Sequence, residues 1–213
     1  MNDTDHVRLF EDARWSRGEQ APVWRHRVAA EMVRDTPVLD VGGGDGLLLK
    51  MLRDRGVDGL HLVDLSPVAV ANAREAGFDA DEGDVTARLP FEDGAFATVC
   101  ALDVLEHLRE PVGPLREIAR VGGEVIVAVP NFQHLRGRLA MLTGRVPFQN
   151  RPQRGHVYWI NRRVLSDVIE AAGLRATEWR YEPSARLGAV GRVLADHWPS
   201  VFAVSFAVRL QAA

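Results

Sequence analysis

Runs of branched and long apolar residues alternate with amphipathic stretches along most of the chain. The runs are short and rich in Val, Leu and Ile, so they predict strands. The predicted strands are 38–41, 59–64, 78–81, 96–102, 123–130, 174–181 and 201–210. Stretches with apolar residues at helical spacing predict helices at 24–36, 48–55, 67–76, 111–120, 132–142 and 161–172.

Cap and turn residues agree with these ends. Ser66 can cap a helix that has Pro67 in its first turn, and Gly77 and Gly173 follow predicted helix ends. Strand and helix alternate five times before residue 131, and parallel strands need helical crossovers of this kind. The pattern therefore predicts an α/β fold, a doubly wound and mostly parallel sheet with helices on both faces.

The alternation breaks between residues 131 and 160, where Arg and His are frequent. One short helix there has Leu135, Leu139 and Leu142 in line, and we expect this apolar face to pack against the core. Contact with an anionic membrane or a lipid-linked substrate is the alternative use of such a face.

These patterns predict one domain, residues 37–213, preceded by an N-terminal helical arm over 1–36. The insertion at about 131–160 is expected on the substrate side of the domain. A loop that contains Pro183 and Pro199 is predicted to join the last two strands.

Composition narrows the range of partners. A net charge of −3 and a pI near 6.2 give no basic field that would attract nucleic acid. The acidic N-terminus is no signal peptide, and no apolar stretch approaches the ~18 residues of a membrane span. The single cysteine, Cys100, excludes a disulfide within the chain, and we predict no metal site. We expect a cytoplasmic monomer or homodimer that acts on a small molecule, without nucleic acid or stable membrane insertion.

The stretch VLDVGGGDG, residues 38–46, places a bare backbone at the end of the first strand. In a doubly wound sheet this turn faces the ligand crevice, and glycines let the backbone approach a ligand closely. The spacing is G-x-G-x-G, one residue shorter than the dinucleotide pattern, with Asp40 two residues before Gly42. An acid there would repel a pyrophosphate and attract a cationic amino-acid head group. A nicotinamide-dependent oxidoreductase is therefore disfavoured.

Two further acids stand near predicted strand ends. Asp64 ends the second strand, where an acid can accept from ribose hydroxyls, and Asp84 follows the third, where it can accept from an adenine amino group. An amine, a ribose and an adenine together describe S-adenosylmethionine.

Four motifs in chain order, VLDVGGGDG, HLVDLS, EGDV and CALDVLEHL, resemble those of class I S-adenosylmethionine-dependent methyltransferases. The resemblance covers the chain from Val38 to the C-terminus. It implies a Rossmann-like, seven-stranded sheet with the last strand antiparallel, and S-adenosylmethionine as cofactor. The implied cofactor-binding residues are Asp40, Gly42, Gly43, Gly44, Gly46, Asp64, Leu65, Asp84, Val85 and Leu102.

The candidate catalytic residues are histidines. His107 in DVLEHL follows the fourth strand, and its ordinary pKa suits a base at neutral pH. The resemblance implies that Glu106 and His107 border the active site; a packing role for His107 is the alternative, because methyl transfer can proceed by proximity alone. His134 and His156 are further candidates in the insertion, and Trp15 and residues 24–26 before the first strand could close over the pocket as a lid.

The insertion, with PNFQHLRGRLAMLTGRVPF and a later H-x-Y-W-x-N, resembles MetW-type proteins and methyltransferase domains of glycan and natural-product pathways. Two functions follow from the resemblance. One is methylation, at oxygen, of a natural-product, sugar-bearing or anionic acceptor, which the arginines and aromatic residues of the insertion could bind. The other is a non-catalytic adapter that binds the cofactor and serves a partner enzyme.

Overall fold

The described part of the chain is built on one sheet of seven strands. In this computed structural model, that part comprises residues 8–9, 11–13, 15–16, 21, 23–151 and 154–213. The strands are β1 (Val38–Val41), β2 (Leu60–Asp64), β3 (Asp79–Glu82), β4 (Phe96–Leu102), β5 (Gly122–Pro130), β6 (Leu174–Pro183) and β7 (Ala203–Ala212). Their order is β3-β2-β1-β4-β5-β7-β6, and β7 is antiparallel to both of its neighbours. The predicted fold class is confirmed, including the antiparallel last strand.

Within the described residues, six helices form where the apolar spacing and the caps predicted them, and two more, the last two in the chain, form where a loop was predicted. They are α1 (Trp24–Met32), α2 (Leu47–Arg53), α3 (Pro67–Glu75), α4 (Val112–Val121), α5 (Leu135–Leu142), α6 (Arg162–Ala171), α7 (Gly188–His197) and α8 (Pro199–Phe202), with 3-10 turns at Leu105–His107, Phe148–Asn150 and Ala185–Leu187. The hydroxyl oxygen of Ser66 accepts from the N–H of Ala69 at 3.2 Å, and Oδ1 of Asn161 accepts from Val164 at 2.9 Å. Both predicted caps are confirmed.

The central strands are buried on both faces, as parallel strands under two helical layers require. All four residues of β1 are buried, and so are the last six of β5. Helix α1 joins the layer on one face through Ala29, Ala30 and Met32, which lie in the same apolar cluster as α2. The second half of the predicted arm therefore packs on the domain, while a separate arm over 1–36 stays a prediction.

The segment between β6 and β7 is helical, so the prediction of a loop there was wrong. Helix α7 begins at Gly188 and buries Gly191 and Ala195, which allow it to lie close to the sheet. Pro199 opens α8, where a proline is tolerated because the first turn has no internal hydrogen bond to lose. Of the two prolines that suggested a loop, Pro183 thus ends β6 and Pro199 begins a helix.

The insertion leaves the sheet and returns to it at one place. The N–H of Phe132 donates to the carbonyl of Ile160 at 2.9 Å, and the rings of Phe132 and Trp159 stack with centroids 5.3 Å apart. Helix α5 contacts the protein through Gly137 and exposes its leucines: Leu135, Leu139 and Leu142 are 38%, 53% and 83% exposed. The prediction that this apolar face packs on the core was wrong, because the small residue and not the leucines faces inward.

Arg209 on β7 bonds to residues of three other elements, β5, β6 and α1. Its guanidinium donates to Glu124 on β5 and to the carbonyl of Met32 at the end of α1, and its Nε lies 3.3 Å from Oε2 of Glu178 on β6. The side chain is buried, so these partners take the place of water around its charge. No helix in the described residues has the length and hydropathy to cross a bilayer.

Candidate active site

A large cavity opens at the carboxyl ends of β1 and β4. The strand order reverses between these two strands, so their following turns diverge and leave a crevice. The lining combines the turn after β1, the ends of β2 and β3, the segment after β4 and part of α1. This is the position at which doubly wound sheets bind ligands.

The glycine turn forms the floor of this cavity. Gly42 and Gly44 have φ of 66° and 60°, in the left-handed region that favours glycine. A β-carbon on Gly43 would lie 2.7 Å from Oδ2 of Asp40. Of the predicted glycines, the described lining includes Gly42 and Gly43; the ring of Trp15 covers Gly44, and Gly46 faces Phe78.

Three buried acids surround the floor: Asp40, Asp45 and Asp64. Asp64 accepts from the N–H of Gly44 at 2.9 Å and from that of Ser66 at 2.8 Å. Burial is the main cause that raises the pKa of Asp40 to about 8, and the nearby charges of Asp64 and Asp45 contribute to the same rise. The cavity therefore carries an excess of negative charge that a cation would relieve.

Asp45 is a site residue that the sequence interpretation missed. Neither of its carboxylate oxygens has a hydrogen-bond partner within the described part of the chain, although both are buried. An acid inside a glycine turn, as in GGGDG, is the signal that could have identified it. A buried carboxylate without a partner calls for a cationic or hydrogen-bonding group from elsewhere.

Four further residues that were predicted to bind the cofactor border the same cavity. Leu65, Asp84, Val85 and Leu102 all line the cavity. Oδ1 of Asp84 accepts from both the N–H and the hydroxyl of Thr86, at 2.8 and 2.6 Å. These bonds fix the carboxylate at the end of the turn after β3.

Residues from the N-terminal part cover the cavity. Trp15, Arg25 and His26 line it together with Glu11. Nη2 of Arg25 lies 2.6 Å from Oδ2 of Asp103, the residue after β4, which has a φ of 56°. A residue other than glycine is strained at such a positive φ, and the strained residue Asp103 is also the one that forms the ion pair with Arg25. Opening or closing of this cover as a lid stays a prediction.

The fold brings two of the three predicted histidines, His107 and His156, into contact. His107 lines the cavity, and its Nδ1–H donates to the carbonyl of Gly155 at 3.1 Å, so Nε2 is the basic nitrogen of the neutral ring. His156 packs edge-on against His107 at 5.0 Å between ring centroids, but borders a second, smaller cavity. His134 lies outside the described lining of both cavities; its Nδ1–H donates to Asn131 at 3.2 Å, and burial lowers its pKa.

Glu106 stands between the two cavities. Its side chain is buried, and burial raises its pKa well above the ordinary value, with the charge of Asp103 adding to the effect. Its backbone carbonyl accepts from the N–H groups of Val157 and Tyr158 at 2.9 and 3.0 Å. Glu106 thus anchors the end of the insertion beside His107, and its place at the border of an active site stays a prediction.

The fold and the crevice are those of class I S-adenosylmethionine-dependent methyltransferases. Magnesium protoporphyrin IX methyltransferase from Synechocystis, solved with bound S-adenosylhomocysteine, has a TM-score of 0.69 to this structure over 98% of this chain and 99% of that chain, at 16% identity.

Curated relatives are named ubiquinone biosynthesis O-methyltransferase. The relative from Pseudomonas aeruginosa is 34% identical over 152 residues, which are 66% of this chain and 65% of that protein, so this chain spans slightly less than two thirds of it. The relative from Marinobacter nauticus is 30% identical over 171 residues, 72% of this chain and 71% of that protein. Residues 25–163 match the family described as methionine biosynthesis protein MetW, and the chain belongs to this family.

Proposed function

We propose that this protein binds S-adenosylmethionine in the cavity and transfers its methyl group to the oxygen of a small-molecule acceptor. The observation that carries the proposal is the set of three buried carboxylates around the glycine turn, with Asp45 lacking a partner among the described residues. A cofactor with an ammonium and a sulfonium group would neutralise this excess, whereas a pyrophosphate would add to it.

The residues fit the parts of that cofactor. Asp40 and Asp45 would hold the cationic amino-acid end, and Asp64 would accept from ribose hydroxyls with the lone pairs left by its two backbone donors. Asp84 and Val85 would border the adenine. The absence of a β-carbon at Gly43 leaves the floor open beside Asp40.

The bound cofactor supplies an electrophilic methyl carbon on a positively charged sulfur. The residues of this chain align the acceptor with it and exclude water, and alignment alone accounts for much of the rate in such a displacement. An acceptor hydroxyl must also lose its proton as its oxygen forms the new bond to carbon. Nε2 of His107, the basic nitrogen in the ring held by Gly155, takes that proton.

Oxygen as the acceptor atom is supported by His107 and by the names of the relatives from Pseudomonas and Marinobacter. An amine attacks in its neutral form and makes less use of a base. The cavity wall on the His107 side contains Val104 and Leu108 beside the Arg25–Asp103 pair. We therefore propose a hydroxylated acceptor with an apolar body, and extend the proposal to sugar-bearing or anionic natural products.

Calorimetric titration with S-adenosylhomocysteine tests the cofactor site, with NAD as the matched control. We expect binding at about micromolar Kd for the first and none for the second. Asp45→Asn should weaken binding of S-adenosylhomocysteine by about tenfold, because the buried carboxylate loses its charge. Binding of NAD alone would replace the proposal with the oxidoreductase alternative. Methyl transfer is then measured on a panel of hydroxylated acceptors.

An adapter that serves a partner enzyme is the second candidate function. The observation in its favour is the apolar surface of the insertion, where Leu139, Leu142, Phe148 and Trp159 are exposed. The adapter should bind S-adenosylhomocysteine and transfer no methyl group to any acceptor on the panel. Turnover on one acceptor would decide for the enzyme.

A further inference from the structure

A cluster of metal-ligating side chains lies beside the cavity, contrary to our expectation of no metal site. One carboxylate oxygen of Glu106 and one ring nitrogen each of His107 and His156 all lie within 4.8 Å of one another. Oε1 of Glu106 lies 3.9 Å from Nε2 of His156. We propose that these three side chains bind a divalent transition-metal ion.

The separations are close to those of a bound site. Bonds of about 2.1 Å to nitrogen and carboxylate oxygen place neighbouring ligand atoms about 3.4 Å apart in a tetrahedral arrangement. The three atoms therefore need to approach by roughly 1 Å, which rotation of the side chains supplies.

The buried carboxylate of Glu106 is a second, independent reason to propose a metal site. Its side chain is 1% exposed, and neither carboxylate oxygen has a hydrogen bond to any residue that the structure describes. A buried carboxylate is costly unless it is paired or coordinates a metal. In the same small cavity, Oε1 of Gln149 and Oδ1 of Asn150 also lack partners in the described ranges, so its wall offers further oxygen donors.

The ligands are held in place by their surroundings. The Nδ1–H of His107 donates to the carbonyl of Gly155, the type of bond that fixes the tautomer of a metal-binding histidine and directs Nε2 to the ion. The backbone of Glu106 is bonded to Val157 and Tyr158, directly after His156. The same bonds thus connect the segment after β4 with the end of the insertion and bring the three ligands together.

The ligand set selects the kind of ion. Two imidazoles and one carboxylate suit Zn²⁺, Fe²⁺, Mn²⁺ or Co²⁺, whereas Mg²⁺ and Ca²⁺ prefer oxygen ligands. Three protein ligands leave coordination positions open, and His107 also lines the main cavity.

The role of the ion rests on the proposed function. An acceptor hydroxyl could occupy an open position, where the ion lowers the pKa of that hydroxyl and its proton passes to the solvent. Nε2 of His107 is then occupied by the ion, so the ion takes over the task of the base. The acceptor oxygen would form its bond to the methyl carbon as the bond between that carbon and sulfur breaks, and S-adenosylhomocysteine would leave.

Full-length protein without a histidine tag tests the site, after removal of metal by a chelator. Co²⁺ is added while visible absorption is recorded, and elemental analysis gives the stoichiometry. We expect one ion per chain with a Kd of about micromolar or tighter, and a loss of at least about tenfold in affinity for Glu106→Gln and for His156→Gln. His197→Gln, an exposed histidine on α7, is the matched control and should bind as the parent does.

Equal Co²⁺ affinity in the parent protein and in both ligand variants would overturn the proposal. Near-ultraviolet circular dichroism checks that each variant is folded. If Glu106→Gln does not fold, the test rests on His156→Gln. Titration of the metal-free protein with S-adenosylhomocysteine separates the two proposals, because Asp40, Asp45 and Asp64 belong to a different part of the cavity lining. Cofactor binding without Co²⁺ binding overturns the metal site alone, and the reverse result overturns the cofactor site alone.

Discussion

The N–H of Gly44 donates to Oδ2 of Asp64 at 2.9 Å, so one hydrogen bond joins the turn after β1 to the end of β2. The same carboxylate accepts from Ser66 at the start of α3. Asp64 therefore holds the glycine turn in shape as well as facing the cavity. The predicted ribose contact and the shape of the floor depend on one side chain.

Replacement of Asp64 by alanine should weaken binding of S-adenosylhomocysteine at least about tenfold, or roughly 1.4 kcal/mol, the value of a lost charge-assisted hydrogen bond. Calorimetry measures the effect. Asp64→Asn keeps one acceptor oxygen for the backbone and should lie between alanine and the parent. Unchanged affinity in the alanine variant would remove Asp64 from the site.

Cofactor binding should depend on pH through Asp40. Its pKa is raised to about 8 without cofactor, so the carboxyl group is protonated at neutral pH. A cationic amine beside it favours the carboxylate, so binding below about pH 8 should release a proton, and affinity should rise with pH toward that value. Calorimetry at neutral pH in buffers of different ionisation enthalpy measures the proton count.

Asp40→Asn is the control for this linkage. It removes the titrating group, so its binding enthalpy should not depend on the buffer, and its affinity for S-adenosylhomocysteine should be lower than that of the parent. The same proton release in the parent and in this variant would assign the linkage to another group.

His107→Ala should lower kcat by about 10²-fold or more, the usual contribution of a positioned base, while the affinity for S-adenosylhomocysteine changes little. The acids proposed to bind the cofactor lie at or just after the ends of β1, β2 and β3, and His107 follows β4. Single-turnover rates with the best acceptor of the panel give the chemical step. Undiminished turnover would reduce His107 to a packing residue.

Arg209→Met should lower the free energy of unfolding by about 3 kcal/mol, because Glu124 loses the buried cation that pairs with it, while Glu178 keeps its pair with Arg180. Arg180→Met is the matched control. Arg180 also pairs with Glu178, at 2.7 Å, but it is exposed, and loss of an exposed pair costs about 0–1 kcal/mol. Urea unfolding of both variants measures the difference, and equal losses would contradict a structural role for the buried pair.

Three of the acids that line the cavity could be predicted because their positions in the sequence are marked by neighbouring residues. Asp40 lies near the end of β1, Asp64 ends β2 and Asp84 follows β3, and parallel strands bring such positions to one edge of the sheet. Asp45 was missed because its importance lies in the lack of a partner, and only the packed structure can reveal that. The link from Asp64 to Gly44 likewise joins residues whose proximity depends on strand pairing.

The insertion and the segment between β6 and β7 were predicted less well. Helical spacing identified α5 but not which side of it faces the protein, and Gly137 rather than Leu139 makes the contact. Proline and glycine between β6 and β7 suggested a loop, although tertiary packing of Gly191 and Ala195 stabilises a helix there. The meeting of His107 and His156 follows from long-range backbone bonds to Glu106, which no periodicity encodes.

The insertion begins and ends at neighbouring positions, because a hydrogen bond joins Phe132, just after β5, to Ile160. The described residues between these two positions add no strand to the sheet. The three buried carboxylates of the floor lie outside this span. Chimaeras joined at these two residues, with the insertion of another member of the family, would therefore test whether the insertion sets acceptor preference while the cofactor pocket keeps its own residues.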